Sequence, residues 1–300
     1  FFLDEKEAAP FIVSASPSSA GSTRFYLPPL GALPLLPRAH KSYIFRESYI
    51  TKAVMVGDPD CHESFVAVVL HSDSVDSSVA YCKKEDFSWE LLPGQSRLVS
   101  YNEIMVRGGA LQALTMDLVV HTWDLSGPEP VFTRKVNPSI PMAILVADYK
   151  LSFNKYYLAE LSTGEFLLVV RRVGYHVNED GVAVEEHDLL TDEDTHPSVC
   201  PYRTLNFDVY KMDSEEKRWV EVEDLGDRAL FVGCNNSISL SAAELAGYEG
   251  NTIYYTDDTW EQTDEGFLYG EHDFGKFNLQ RGRIELVDNV IEDDRIVPVD

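Results

Sequence analysis

The sequence predicts an all-β chain folded as a β-propeller of four-stranded blades, and three observations carry that prediction. Short apolar or alternating runs recur along the chain, separated by turn groups rich in Gly, Pro, Asp and Asn. No window of ten or more residues shows a 3.6-residue apolar period; residues 242–246 reach about one helical turn. A unit also repeats. Tyr81 and Trp89 stand in a strand, a charged turn and a second strand, and an apolar strand pair at 104–115 follows. Tyr210 and Trp219 repeat the arrangement, followed by the pair at 229–241. Residues 157–170 and 277–286 look like the same hairpin without the Trp. A four-stranded unit of roughly 40 to 50 residues is the blade period of a propeller. A sandwich, the competing architecture, is usually smaller than this 300-residue chain.

Residues 1–40 are expected to be a Pro/Ser-rich segment with one edge strand at 25–30. Pro28 and Pro29 keep that strand out of a sheet centre, and Pro10, Pro17, Pro34 and Pro37 interrupt the remainder. Residues 41–300 are read as the propeller domain. Strands are expected at 49–56 and at 65–71, the latter a continuous apolar run suited to burial on both faces. A hairpin pairs 79–82 with 88–92. Another pairs 100–107 with 110–115 across Gly108-Gly109, a strong two-residue hairpin signal. Strands at 118–125, 143–147, 155–161 and 166–172 follow. Residues 174–204 read as a long acidic surface loop, a kind of segment that is usually functional or disordered. The hairpin 207–222, the runs 229–232 and 252–255, a polar insertion at 259–266 and a last hairpin at 274–287 complete the order.

Composition bounds the function. Apolar residues make up 44% of the chain, enough for a sizeable core. Acidic residues outnumber basic ones 50 to 25, and the net charge of −25 argues against nucleic acid and anionic membrane surfaces as partners. The same field attracts basic partners at long range. No apolar run approaches the roughly 18 residues of a membrane helix. Cys61, Cys82, Cys200 and Cys234 are too far apart for a metal motif, and reduced thiols in a cytoplasmic or nuclear protein are expected. The chain opens on Phe1 without an initiator Met or a basic leader, so it reads as a fragment.

Candidate chemistry is sparse. Asp257-Asp258 is a carboxylate pair at a strand end, but adjacent strand residues point to opposite faces and pair poorly for acid–base work. Glu185-Glu186-His187-Asp188, with Asp192, Glu193, Asp194 and His196, lacks the spacing of a calcium loop or a zinc helix and reads as a solvated loop. Glu271-His272-Asp273 reads as an exposed turn. Asn235-Asn236-Ser237 matches a glycosylation acceptor and reads as a polar turn. Trp260, among polar neighbours, is the candidate exposed interface anchor. No nucleophile elbow or phosphate loop occurs. The expectation is therefore no catalytic, cofactor-binding or metal-binding residues, no cofactor, and a protein partner whose binding face is unknown.

The residues also resemble a family. Thr51-Lys52-Ala53-Val54-Met55, the run 65–71, Val79-Ala80-Tyr81-Cys82 with Ser88-Trp89, and Leu125-Ser126-Gly127-Pro128 are similar to the plant F-box-associated, KIB-type β-propeller proteins. The likeness is closest over Phe207-Asp208-Val209-Tyr210-Lys211-Met212-Asp213, Arg218-Trp219-Val220 and Leu225-Gly226-Asp227-Arg228-Ala229-Leu230-Phe231. It continues through Gly250-Asn251-Thr252-Ile253-Tyr254-Tyr255 and Gly275-Lys276-Phe277-Asn278-Leu279. The resemblance implies one propeller that holds a target protein, with an upstream F-box holding a Skp adaptor of a ubiquitin ligase. This chain shows no F-box, so Skp binding is expected only if one precedes residue 1. The Gly-Trp-Leu strand expected ahead of the Pro-rich segment is missing too, which leaves the N-terminal blade incomplete. The alternatives are an F-box-free scaffold of the same family and, more remotely, a propeller hydrolase with channel carboxylates.

Overall fold

A computed structural model describes residues 2–3, 10–14, 23–29, 33–34, 50–57, 65–72, 77–96, 98–145, 150–178, 180–185, 199–234, 236–258 and 273–286. Strands dominate, and their sheets form a β-propeller. Blade I is β4 (Ile50–Val56), β5 (Val66–Ser72), β6 (Ser77–Lys83) and β7 (Glu90–Leu91), in the order β4-β5-β6-β7. Blade II is β8 (Tyr101–Arg107), β9 (Ala110–Thr115), β10 (Val120–Asp124) and β11 (Val131–Val136), also in sequence order. Blade III is β12 (Ser152–Glu160), β13 (Phe166–Asn178), β14 (Val199–Asp213) and β15 (Arg218–Glu221). These three sheets are antiparallel throughout.

Blade IV differs. Its strands are β16 (Arg228–Val232), β17 (Ile238–Ser241), β18 (Thr252–Tyr255), β19 (Gly275–Asn278) and β20 (Arg283–Leu286), in the order β17-β16-β18-β19-β20. β16 and β18 pair in parallel, Ala229 against Thr252 through Val232 against Tyr255. A parallel pair needs a crossover, and β17 with a 3₁₀ turn at Ala242–Glu244 supplies it. The innermost strands β4, β8, β12 and β17 are neighbours in succession. A separate three-stranded sheet holds β1 (Phe2–Leu3), β2 (Pro10–Ser14) and β3 (Thr23–Tyr26).

Period-two alternation explains how the blades stack. On β5, Val66, Val68 and Leu70 join β8–β10 residues Ile104, Leu111 and Trp123 in the core between blades I and II. The intervening Ala67 and Val69 pack with Phe65, Trp89, Leu27 and Leu33 on the opposite face. Trp89 Nε1 donates there to the Pro28 carbonyl at 2.8 Å, tying the Pro-rich segment to blade I. On β13, Leu168 and Val170 face blade II with Trp219, whereas Leu167 and Val169 face blade IV with Leu230, Ile253 and Phe277. The continuous apolar run at 166–170 thus marks a strand sandwiched between two blades, and the run at 65–71 one covered by blade II on one face and the Pro-rich segment on the other. The turn at Gly108 and Gly109, with φ of 54° and 80°, has the left-handed pair that a two-residue hairpin requires.

Several expectations need correction. The strand expected at 143–147 is instead a one-turn helix, α1 (Met142–Leu145), where it is described. Pro141 begins the turn, and the Ile144 N–H closes it on the Pro141 carbonyl at 3.1 Å. The acidic loop at 174–204 is shorter at both ends, because β13 runs to Asn178 and β14 starts at Val199. Val177, Cys200 and Tyr202 are buried by this extension. Pro201 did not end the strand, since the ladder passes from Tyr175–Tyr202 to Val177–Cys200 and no amide is required of Pro201. Residues 186–198 lie outside the described residues. β11, whose residues are mostly exposed at the outer edge of blade II, was not expected at all. The segment 1–40 holds three strands and not one.

Blade IV also tolerates little change where its strands meet. A Cβ on Gly275 would lie 2.6 Å from the Glu285 carbonyl oxygen and 3.0 Å from Tyr255 Oη. Gly275→Ala is expected to destabilise the fold by about 1–3 kcal/mol through overpacking, read as a lower midpoint in urea denaturation.

Candidate functional site

The residues with the most chemical character meet at the inner ends of the blades. Each blade brings one charged side chain to a cavity of about 160 Å³: Lys52 from β4, Glu103 from β8, Lys155 from β12 and Asp258 just after β18. The signs alternate, and neighbours pair. Lys52 Nζ forms a buried ion pair with Glu103, joining blades I and II. Lys155 Nζ lies 3.1 Å from Asp258 Oδ1 and donates to the Asp258 carbonyl at 2.5 Å, joining blades III and IV. Burial pushes the Glu103 carboxyl up to about 7, although Lys52 and the Leu158 amide both pull it down. Thr51, Asn102, Asn154, Tyr156, Tyr157, Gly233 and Cys234 complete the lining.

Behind Asp258 lies a second, drier cluster centred on Arg171 of β13, whose side chain is fully buried. Its guanidinium reaches Asp258 Oδ1 at 2.9 Å and Asp273 Oδ2 at 3.0 Å. It also donates to Thr204 Oγ1 at 2.7 Å, to the Thr256 carbonyl at 2.9 Å and to the Tyr157 hydroxyl at 3.2 Å. The Tyr255 ring lies 4.6 Å from the guanidinium carbon. Planar, forked guanidinium geometry suits several carboxylate and carbonyl partners at once. Tyr157 donates to Asp258 Oδ2 at 2.7 Å, and burial with the nearby Asp258 charge holds its hydroxyl well above the usual tyrosine range. Burial likewise raises the Asp273 carboxyl, against the opposing pull of Arg171. Asp273 further accepts from the Thr204 amide at 2.8 Å and hydroxyl at 2.7 Å.

Asp257 and Asp258 do diverge, as strand geometry requires. Asp258 turns to Arg171 and Lys155, while Asp257 accepts from the Tyr202 hydroxyl at 2.8 Å and the Asp273 amide at 3.1 Å. They are more than the end of a strand, however, because both anchor the join between blades III and IV. Asp273 overturns the expected exposed turn: it is 1% exposed. Glu271 and His272 lie outside the described residues, as do Trp260, Glu186, His187, Asp188, Asp192, Glu193, Asp194, His196, Asn235 and Cys61. Glu185 is half-buried, away from this cluster's contacts. Trp89, Trp123 and Trp219 are core residues. Cys82 and Cys200 are buried free thiols.

Sequence reading gave neither Arg171 nor Lys52 a role, although Lys52 lies in the family-like run 51–55. One signal was present: a basic residue closing the apolar run at 166–170, and another in the β-rich run at 49–56, are unusual on strands with two buried faces. Chemically, the arrangement is self-neutralising. The two carboxylates that line the cavity, Glu103 and Asp258, each hold a lysine.

The comparisons with known proteins agree with this architecture. A model of the KIB1-4 β-propeller matches residues 15–278. F-box protein SKIP23 of Arabidopsis thaliana is 27% identical over 252 residues, covering 83% of this chain and 56% of its own length. Shorter matches include F-box protein At2g17690, 37% identical over 93 residues, which are 28% of this chain and 22% of that protein. Putative F-box protein At3g25750, also from Arabidopsis thaliana, is 46% identical over 54 residues, 18% of this chain and 15% of that protein. The chain thus spans about half the length of SKIP23 and less of the others. With the blades, their order and the matched residues in agreement, this chain belongs to the KIB1-4 β-propeller family.

Proposed function

We propose that this chain is the target-recognition domain of an F-box-type ubiquitin ligase component, binding a protein and performing no chemistry of its own. The observation that carries this reading is family membership over residues 15–278 together with relatives named as F-box proteins. The channel supports it too, because its charged groups are committed to joining blades. A hydrolase would need carboxylates held open to a substrate.

Recruitment needs no reactive side chain. Holding a target beside the ligase raises its effective concentration at the transfer site. In this reading an F-box encoded ahead of Phe1 holds a Skp-type adaptor, and the propeller holds the target. The acidic surface disfavours nucleic acid as that target. The free thiols of Cys82 and Cys200 suit the reducing cytoplasm or nucleus.

Affinity purification of the gene's full-length product from plant extract tests the proposal. The expected result is co-recovery of the Skp adaptor, a cullin and a further protein. Recovery of a partner without adaptor or cullin would instead establish an F-box-free scaffold and overturn the ligase reading.

A further inference from the structure

The outer halves of the blade boundaries are not alike. Between blades I and II, Lys83 of β6 forms an ion pair with Glu129, which precedes β11, and the Tyr81 hydroxyl donates to the same carboxylate at 3.2 Å. Between blades II and III the bridge joins the innermost strands: Arg107 of β8 lies 2.6 Å from Glu160 of β12 and donates to the Gly164 carbonyl at 2.6 Å. Each of these boundaries is thus bridged by a cation from one blade and a carboxylate from the next.

At its outer half the boundary between blades III and IV has, among the described residues, no counterpart of the Lys83–Glu129 pair and opens into a cleft of about 390 Å³. Blade III contributes Asp208 and Glu221, with Glu223 just beyond β15, while blade IV answers with Leu279, Gln280 and Gly282. Among the described residues, Glu221 and Glu223 are in no ion pair, and both are exposed. Among the described residues, the cation paired with Asp208 comes from its own blade, Arg172 at 3.8 Å. The floor is apolar: Phe207, Val209 and Phe277 are buried there and Val222 is half-buried.

We propose that this cleft is a docking site for an extended segment of a partner protein, one carrying an arginine or lysine next to an apolar side chain. The inference rests on the protein-binding reading above and adds the face and the chemistry of the partner. The basic residue supplies from outside a cation for Glu221 and Glu223, as Lys83 supplies one for Glu129 at the boundary of blades I and II. Its aliphatic stem lies on the apolar floor while its charge meets Glu221 and Glu223. The net charge of −25 draws such a segment in at long range, and the cleft gives it a place.

Fluorescence anisotropy with the 300-residue chain tests this, using a fluorescein-labelled nonapeptide that alternates arginine and leucine. The variant E221Q/E223Q removes the rim charges. Gln280→Lys places a cation on the blade IV side, imitating Lys83 at the boundary of blades I and II. E85Q/D117N removes the same net charge from exposed turns of blades I and II. The unchanged chain and E85Q/D117N are expected to bind alike. E221Q/E223Q and Gln280→Lys are expected to bind about tenfold more weakly. Equal weakening by E221Q/E223Q and E85Q/D117N would show attraction by net charge alone and overturn the proposal, as would absence of binding by the unchanged chain.

The same E221Q/E223Q substitution in the full-length product separates the two readings. Retention of the target by that variant overturns the cleft and leaves the recognition function standing. Loss of adaptor and cullin from the unchanged product overturns the ligase reading, with the peptide result still deciding the cleft.

Discussion

Replacing Arg171 by alanine is expected to cost about 3–5 kcal/mol of folding stability, the usual penalty for removing one partner of a buried ionic cluster. The substitution strands Asp258 and Asp273, both of which depend on the guanidinium across the blade III–IV boundary. It also empties space beside the Tyr255 ring. Arg171→Lys keeps the charge but not the fork, so it recovers only part of the loss. Urea denaturation of the three proteins gives the ordering wild type, lysine, alanine. Equal stability of the alanine variant and wild type would refute the role of Arg171 as the tie between these blades. Because burial already raises Asp273, the alanine variant is expected to take up a proton there, so its deficit shrinks as pH falls.

The second large effect concerns Lys52. Lys52→Met keeps the aliphatic stem and deletes the ammonium, leaving Glu103 buried without its counter-charge. The sign of the pH dependence follows from the raised carboxyl. In the wild type the Glu103 value in the folded state is about 7, above its ordinary 4.5. The stability associated with its protonated form is therefore fully present below about 4.5 and is lost as pH rises through 7. Deleting Lys52 removes a group that lowers this value, so the variant's window extends further upward. The deficit is expected to be small at about pH 5, where both proteins hold Glu103 protonated, and to reach about 3 kcal/mol at about pH 8. The double substitution of Lys52 by methionine and Glu103 by leucine removes both charges and is expected to be near neutral at either pH. A pH-independent deficit for Lys52→Met would show that packing of the stem, and not the ion pair, matters at this boundary.

Both effects concern residues that join blades, and this bears on the proposed recognition of a partner. With the inner ends of the boundaries closed by ion pairs, the frame is held stiff. In the proposed function recognition falls to the rims, where the cleft between blades III and IV carries Glu221 and Glu223 in no ion pair among the described residues. A rigid frame limits the ordering cost of binding.

Much of the fold was legible before any coordinates. The runs at 65–71 and 166–170 announced strands covered on both faces, because a two-residue period with apolar side chains on both sides has no solvent face to mark. Gly108-Gly109 announced a hairpin through its left-handed backbone. The Tyr–Trp unit announced repetition, and Trp89 and Trp219 do fill equivalent places in blades I and III. The errors fell where local pattern is weak. Residues 143–147 are apolar enough for a strand, but Pro141 turns them into a helical turn. β11 has no buried face and therefore no hydrophobic signal. The acidic composition of 174–204 obscured the alternation of Val177, Cys200 and Tyr202.

The charged joins were not legible, and the reason is distance along the chain. Arg171 meets Asp258 and Asp273 across 87 and 102 residues, and Lys52 meets Glu103 across 51. No spacing rule links residues so far apart, because the geometry that unites them belongs to the stacking of blades. What the sequence determined by itself was the strand pattern, the turns and the family, all written in short-range periodicity and composition. Only the tertiary structure decided that Asp258 and Asp273 are buried anchors on one guanidinium, and that Glu221 and Glu223 line a cleft in no ion pair among the described residues. An ion pair's worth is set by the burial and partners that packing brings to it, and those arise only when separate blades meet.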